Sequence, residues 1–131
     1  MSLRAISIGS FLFQLGIVRR LRLHPTDLHA VYALSRAPAG LSAGDLGAHL
    51  GLTTGSTTAL LDRLAGRRFV ARTTDATDRR RVVVSLTEQA RTTLAEEYAD
   101  IDVRVVDAIG ALSDAERDVV ARFLQAVAEP R

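Results

Sequence analysis

The chain has 131 residues, 47% apolar and 24% charged, with no cysteine and with arginine supplying all 17 basic side chains. That balance fits one globular domain, with or without an appended interface, and excludes disulfides, thiolate metal sites and thiol redox sensing. The net charge of +2 is unevenly spread: residues 62–87 carry seven arginines against three aspartates, whereas residues 88–131 carry five against ten acids.

A basic middle beside an acidic tail suits a polyanion-binding lobe joined to a solvated scaffold. At the N-terminus, Arg4 precedes the uncharged run AISIGSFLFQLGIV, which lacks a small-residue cleavage site and ends in Arg19, Arg20 and Arg22. The run is too short and too polar to span a bilayer, so the expectation is a packed helix over 3–22 in a cytoplasmic protein. Pro25 and Asp27 then open a second helix, PTDLHAVYALSRA, as proline and an acid suit a first turn. Leu28, Val31, Tyr32 and Leu34 give it an apolar face, and Pro38 and Gly40 end it.

Ser42 with Asp45 resembles a capping box for a short third helix with Leu46 and Leu50 inward and Gly51 just past its end. Thr53 or Thr54 caps a fourth helix that turns Thr57, Leu60, Leu61 and Leu64 inward. Two helices joined by about four residues, each with one leucine stripe, form a helix-turn-helix. After Arg67 the period becomes alternating: Phe69–Arg72 and Val82–Leu86 are strand-like, and the turn TTDATD and the cluster Arg79-Arg80-Arg81 lie between them. A long helix follows from Thr87-Glu88, with Leu94, Tyr98, Ile101, Val105, Ala108 and Leu112 in a heptad-like seam. Ser113 and Glu116 form a capping box for a last helix striped by Val119, Val120, Phe123, Leu124 and Val127. The fold class is therefore mainly α with a small β-hairpin wing: a winged helix-turn-helix lobe between N- and C-terminal helices.

That order points to double-stranded DNA. The N-terminal half of a recognition helix reaches base edges in the major groove. Thr54, Ser56, Thr57, Thr58 and Ala59 are small enough for close approach; their hydroxyls can bond phosphates or bases, and their methyls can touch thymine. Arg63 lies where it could hold the backbone. A hairpin tip bearing Arg79, Arg80 and Arg81 can enter the minor groove, where negative potential attracts guanidinium. Asp78 is expected to pair with one of these arginines and fix the loop. A threonine-rich helix start alone is often only a cap, and an arginine run only a solvated face; it is their order and spacing that carry the inference.

These motifs make residues 23–91 similar to the MarR family of transcriptional regulators. LHPTDLHAVYAL resembles the family's second helix, DLGAHLGLTTGSTTALLDRL its helix-turn-helix, and DRRRVVVSLTE its wing. The resemblance implies a single domain over 1–131, with a DNA-binding lobe at 23–91 and dimerisation helices at 1–22 and 92–131. It implies recognition helices over 54–67, a minor-groove role for Arg79 or Arg80, and anchoring of the wing by Asp78. It also implies a small-molecule pocket between the dimer helices and the lobe, near His24, His29 and Tyr32, suited to an aromatic or phenolic effector. The chain departs from the family pattern at Arg68 and Ala90, where glycine is usual, at Ala76, where proline is usual, and at Ala59, where a longer polar side chain is common.

Self-association also follows from the seam and the first helix, which are more apolar than a small lobe can cover. A two-fold dimer would read a pseudo-palindromic operator with half-sites about one helical turn apart. The histidines lack i, i+4 pairing and a nearby cysteine, so no metal site is expected. No cofactor loop, nucleophile elbow or other catalytic set appears, and an enzyme is not expected. The leading expectation is a homodimeric repressor released by an effector. The alternatives are a winged-helix protein-interaction module without sequence-specific DNA binding, and a DNA-binding regulator with no effector.

Overall fold

A computed structural model describes residues 2–128, which form six helices and a two-stranded antiparallel sheet. The first helix, α1 (Leu3–Leu21), starts on Ser2, whose hydroxyl accepts from the Ala5 amide, and ends with Arg22 in the left-handed region at φ 51°. In α2 (Pro25–Ser35) the Asp27 carboxylate accepts from the His24 amide at 3.4 Å. Leu28, Ala30, Val31, Ala33 and Leu34 of α2 are buried on more than one face, which makes it the central helix of this part of the chain. Tyr32, expected on its apolar face, is instead 52% exposed.

The third helix, α3 (Ala43–Leu50), is capped by Ser42, whose Oγ accepts from the Asp45 amide at 3.0 Å; Gly51 closes it at φ 66°. The fourth, α4 (Thr54–Gly66), is capped by Thr53, which accepts from the Ser56 amide at 3.2 Å. Leu46 of α3 and the inward stripe Leu60, Leu61 and Leu64 of α4 are all at or near zero exposure. Burial on that scale stabilises the lobe by about 1.5–3 kcal/mol per leucine. The two helices approach closely at Gly47, where an added Cβ would fall 2.5 Å from Thr57 Oγ1.

The wing pairs β1 (Val70–Thr74) with β2 (Val82–Leu86), in register from Val70↔Leu86 to Thr74↔Val82. Leu41 adds a bridge to Val84 on the other edge of β2, with hydrogen bonds of 2.9 and 2.7 Å. Gly40 permits this approach: its φ is 82°, and a Cβ there would sit 2.9 Å from the Val84 carbonyl oxygen. The link from α4 to β1 turns at Arg68, a non-glycine residue at φ 60°. The family's usual glycine at this position has a physical reason, since a left-handed backbone disfavours a Cβ. Thr87 then ties the end of β2 to that turn: its hydroxyl donates to the Arg68 carbonyl at 2.6 Å and accepts from the Ala90 amide at 3.1 Å.

The chain divides into two compact units, one up to Leu94 and one from Ala95 onward. The helix α5 (Glu88–Gly110) begins in the first, where Ala90 and Leu94 are buried. The second unit holds the rest of α5 and α6 (Asp114–Ala128). Ser113 and Glu116 form the expected box, with the Ser113 amide donating to Glu116 Oε2 at 2.8 Å. No residue of α6 is buried, and its stripe of Val119, Val120, Phe123, Leu124 and Val127 is exposed. Residue 1 and residues 129–131 of the expected dimerisation segments lie outside the described residues.

Candidate nucleic-acid interface

Of the residues expected to touch DNA from α4, Thr54, Ser56, Thr58 and Ala59 are exposed. Thr57 is not. It is 3% exposed, it packs at the Gly47 crossing, and its hydroxyl donates to the Thr53 carbonyl at 2.9 Å. A side chain that wedges two helices together is unavailable to a groove, so Thr57 is a positioning residue for α4 rather than a contact.

Arg63 is half exposed but engaged. It donates to the Asp27 carboxylate at 2.7 Å, and Asp27 is 4% exposed. The hydrogen bond and then the charge of Asp27 hold the guanidinium more firmly in its charged form. The expected backbone-holding cation is thus the partner of a buried carboxylate, and it locks α4 to the first turn of α2. Arg67, just past α4, donates to the Leu21 and Arg22 carbonyls at 2.5 and 2.7 Å. It places a cation at the negative end of α1, and its guanidinium carbon lies 5.4 Å from the centre of the Phe69 ring. Arg72 of β1 pairs with Asp62 of α4 at 2.8 Å.

The wing tip is fixed through its backbone. The Asp75 amide donates to the Arg81 carbonyl at 2.8 Å, closing the loop. Asp75 Oδ1 accepts from both the amide and the hydroxyl of Thr77 at 2.8 Å, and these bonds hold its carboxyl below the usual aspartate range. Asp78 Oδ1 accepts from the Arg80 amide at 3.0 Å. Asp78 therefore anchors the wing by an Asx turn, not by the guanidinium pairing expected of it. The ion pair in this region is made by Arg81, which reaches Asp45 of α3 at 2.9 Å. Hydrogen bonding with Ser42, followed by the charge of Arg81, lowers the Asp45 carboxyl. Of the three wing arginines, Arg79 and Arg80 alone have guanidinium groups with no protein partner among the described residues.

No local sequence signal marks the Arg63, Arg67 and Arg81 pairings, whose partners lie 36 or more residues away. The three residues expected near an effector do not come together. His24 lines a hollow of about 440 Å³ with Thr26, Ser56, Ala59 and Arg63. His29 lines a separate, mostly apolar cleft of about 160 Å³ with Phe11, Gln14, Leu15, Val18 and Leu28, between α1 and α2. Tyr32 lines neither. Among the described residues, no group of three or more His, Asp or Glu is placed to hold a metal ion, and no helix is long and apolar enough to cross a membrane.

Comparison with known proteins matches these features. The MarR family profile matches residues 23–81, which covers the helix-turn-helix and the wing tip. The chain is 32% identical over 126 residues to the uncharacterized HTH-type transcriptional regulator YcgE of Bacillus subtilis (strain 168), spanning 96% of this chain and 81% of that protein. Among solved structures, the transcriptional repressor CouR of Rhodococcus jostii RHA1, bound to a 23-mer DNA duplex, is 27% identical with a TM-score of 0.60, over 97% of this chain and 89% of that one. S. aureus MepR bound to ethidium bromide shares the fold with a TM-score of 0.68 at 22% identity, over 95% of this chain and 89% of that one. With capped helices 43–50 and 54–66 crossing at Gly47, and a hairpin tipped by arginine, the chain belongs to the MarR family of winged helix-turn-helix transcriptional regulators.

Proposed function

We propose that the chain is a homodimeric, sequence-specific DNA-binding regulator of the cytoplasm, a repressor released by a small-molecule effector. One observation carries the DNA-binding part. Arg79 and Arg80 stand unpaired on a turn whose backbone is fixed by Asp75 and Asp78, in the same compact unit as a recognition helix with a small, exposed outer face. A rigid turn that leaves two guanidinium groups unsatisfied is suited to a narrow, strongly negative groove. Thr54, Ser56, Thr58 and Ala59 face the major groove in this reading, and Asp78 sets the wing.

The uncovered stripe of α6 and the exposed Leu3, Ile6, Ile8 and Leu12 of α1 support self-association through the terminal helices. The apolar cleft beside His29 supports an aromatic or phenolic effector, with His29 as its polar contact. His24 lies with the recognition helix instead, and Tyr32 has no part in that cleft.

Selection of binding sites from random duplex DNA tests the proposal. Enrichment of a pseudo-palindrome is expected, with affinity falling steeply with salt. Arg80→Ala should weaken binding and reduce the salt slope by about one, whereas Arg63→Ala should lower the melting temperature and leave the slope unchanged. A second reading, a protein-interaction module, is favoured by the internal pairing of Arg63, Arg67, Arg72 and Arg81. Binding indifferent to both sequence and salt would select it.

A further inference from the structure

The recognition helix is poor in the groups that read bases by paired hydrogen bonds. Bidentate recognition uses arginine or lysine for guanine and asparagine or glutamine for adenine. Residues 54–66 contain one such side chain, Arg63, and it is held by Asp27 at 2.7 Å. The flanking Arg67 and Arg72 are held by the α1 carbonyls and by Asp62.

Thr54 and Ser56 at the start of α4 offer exposed hydroxyls, which make single rather than paired contacts; the rest of its outward face is apolar or already bonded. Gly55, Ala59 and Asp62, at spacings of four and three, lie opposite the buried Thr57, Leu60, Leu61 and Leu64. The Asp62 carboxylate accepts from Arg72, which offsets its charge before a phosphate is near. Thr58 commits its hydroxyl hydrogen to the Thr54 carbonyl at 2.9 Å, leaving a methyl group and acceptor lone pairs. The hollow of about 440 Å³ opens at Ala59, and Leu52 and Leu60 are part of its lining.

We propose that α4 selects bases by apolar contact, seating thymine C5-methyl groups against Ala59 and Thr58, with no bidentate contact to guanine or adenine from residues 54–66. This rests on the DNA-binding reading above and names what that same surface recognises. Arg79 and Arg80 then supply charge, and the helix supplies shape.

The test uses the duplex recovered by selection, with every thymidine of both half-sites replaced by deoxyuridine. This removes the methyl group and keeps the pairing. The uracil duplex should bind roughly ten-fold or more weakly, at about four-fold per buried methyl. Ala59→Gly and Thr58→Ser, checked for unchanged helix content by circular dichroism, should bind the thymine duplex more weakly and lose most of the distinction between the two duplexes. Equal affinity of the wild-type protein for both duplexes, or a larger loss when guanine is replaced by 7-deazaguanine, would overturn the inference alone. Failure to bind any duplex at any salt concentration would overturn it together with the DNA-binding reading.

Discussion

The residues up to Leu94 and those from Ala95 onward use the same local rules to opposite ends. Both contain helices with apolar stripes at spacings of three and four, and both start helices on a hydroxyl cap. In the first region the N-terminal part of α1 leaves large apolar side chains such as Ile6, Ile8 and Leu12 exposed, but the stripes of α2, α3 and α4 are buried, with Leu34, Leu46, Leu60, Leu61 and Leu64 within 1% of zero exposure. In the second they are not, and Phe123 is 48% exposed. Periodicity therefore marks which face of a helix wants covering, but not whether the same chain covers it. The first region closes its own core because two short helices, a hairpin and α2 surround one another. Among the described residues the second holds the rest of α5 and α6, and two helical segments alone do not enclose their stripes.

The comparison breaks most readily at the core. Leu64→Ala should cost about 2–5 kcal/mol, measured by urea unfolding, because the leucine removed is fully enclosed. A loss well under 1 kcal/mol would mean that the first region is not a packed unit. Next comes Phe123→Ala, which should weaken self-association by roughly 30-fold, or about 2 kcal/mol, in sedimentation while leaving the circular dichroism of the lobe unchanged. Unaltered association would place the dimer interface elsewhere. A smaller change, in the opposite direction, is expected at the α4–β1 link. Arg68→Gly should stabilise the protein by about 1 kcal/mol, since relief of the left-handed backbone at φ 60° outweighs the extra freedom glycine gives the unfolded chain. A destabilised variant would show that the Arg68 side chain matters more than its backbone.

The smallest effect is one the two regions share. Thr77 lowers the Asp75 carboxyl, and Ser113 lowers that of Glu116, through hydrogen bonds to the ionised form. A carboxyl lowered in the folded state contributes stability that is fully present above the ordinary carboxylate range and is lost as pH falls through the lowered value. NMR titration should find both groups ionised to a more acidic pH than free side chains. Thr77→Ala keeps the larger contribution, from the residue 77 amide, and removes that of the hydroxyl, so it should return Asp75 only part of the way toward the ordinary range and leave Glu116 unmoved. Movement of both by this one substitution would contradict the local origin of the shifts.

Much of the fold was legible because its signals are local. The caps Ser42, Thr53 and Ser113, the terminal Gly51 and the hairpin strands each declare themselves within a few residues. The departure at Arg68 was visible as well, and the left-handed backbone explains why glycine is usual there. The site was less legible. A lone arginine on a helix looks the same whether it will meet a phosphate or Asp27, because the choice depends on how α2 docks. Asp78 was expected to anchor the wing through a guanidinium, but its carboxylate accepts from an amide two residues on, which competes well with a long, mobile guanidinium. Thr57 satisfied two patterns at once, the inward stripe and the hydroxyl-rich helix start, and only the crossing at Gly47 decides between them. The bridge from Leu41 to Val84 joins residues far apart in sequence and has no local signature.

That crossing constrains how the chain can change by single steps. A methyl group at position 47 would fall 2.5 Å from Thr57 Oγ1, while the Thr57 Cβ and Cγ2 lie at an ordinary 3.5 Å. Gly47→Ala is therefore blocked by one oxygen atom, and Thr57→Ala removes it. The two substitutions are compatible in one order only: threonine must be lost before the glycine can be. Descendants of this sequence that carry alanine at position 47 should already lack the hydroxyl at position 57, whereas loss of that hydroxyl alone leaves position 47 free to remain glycine.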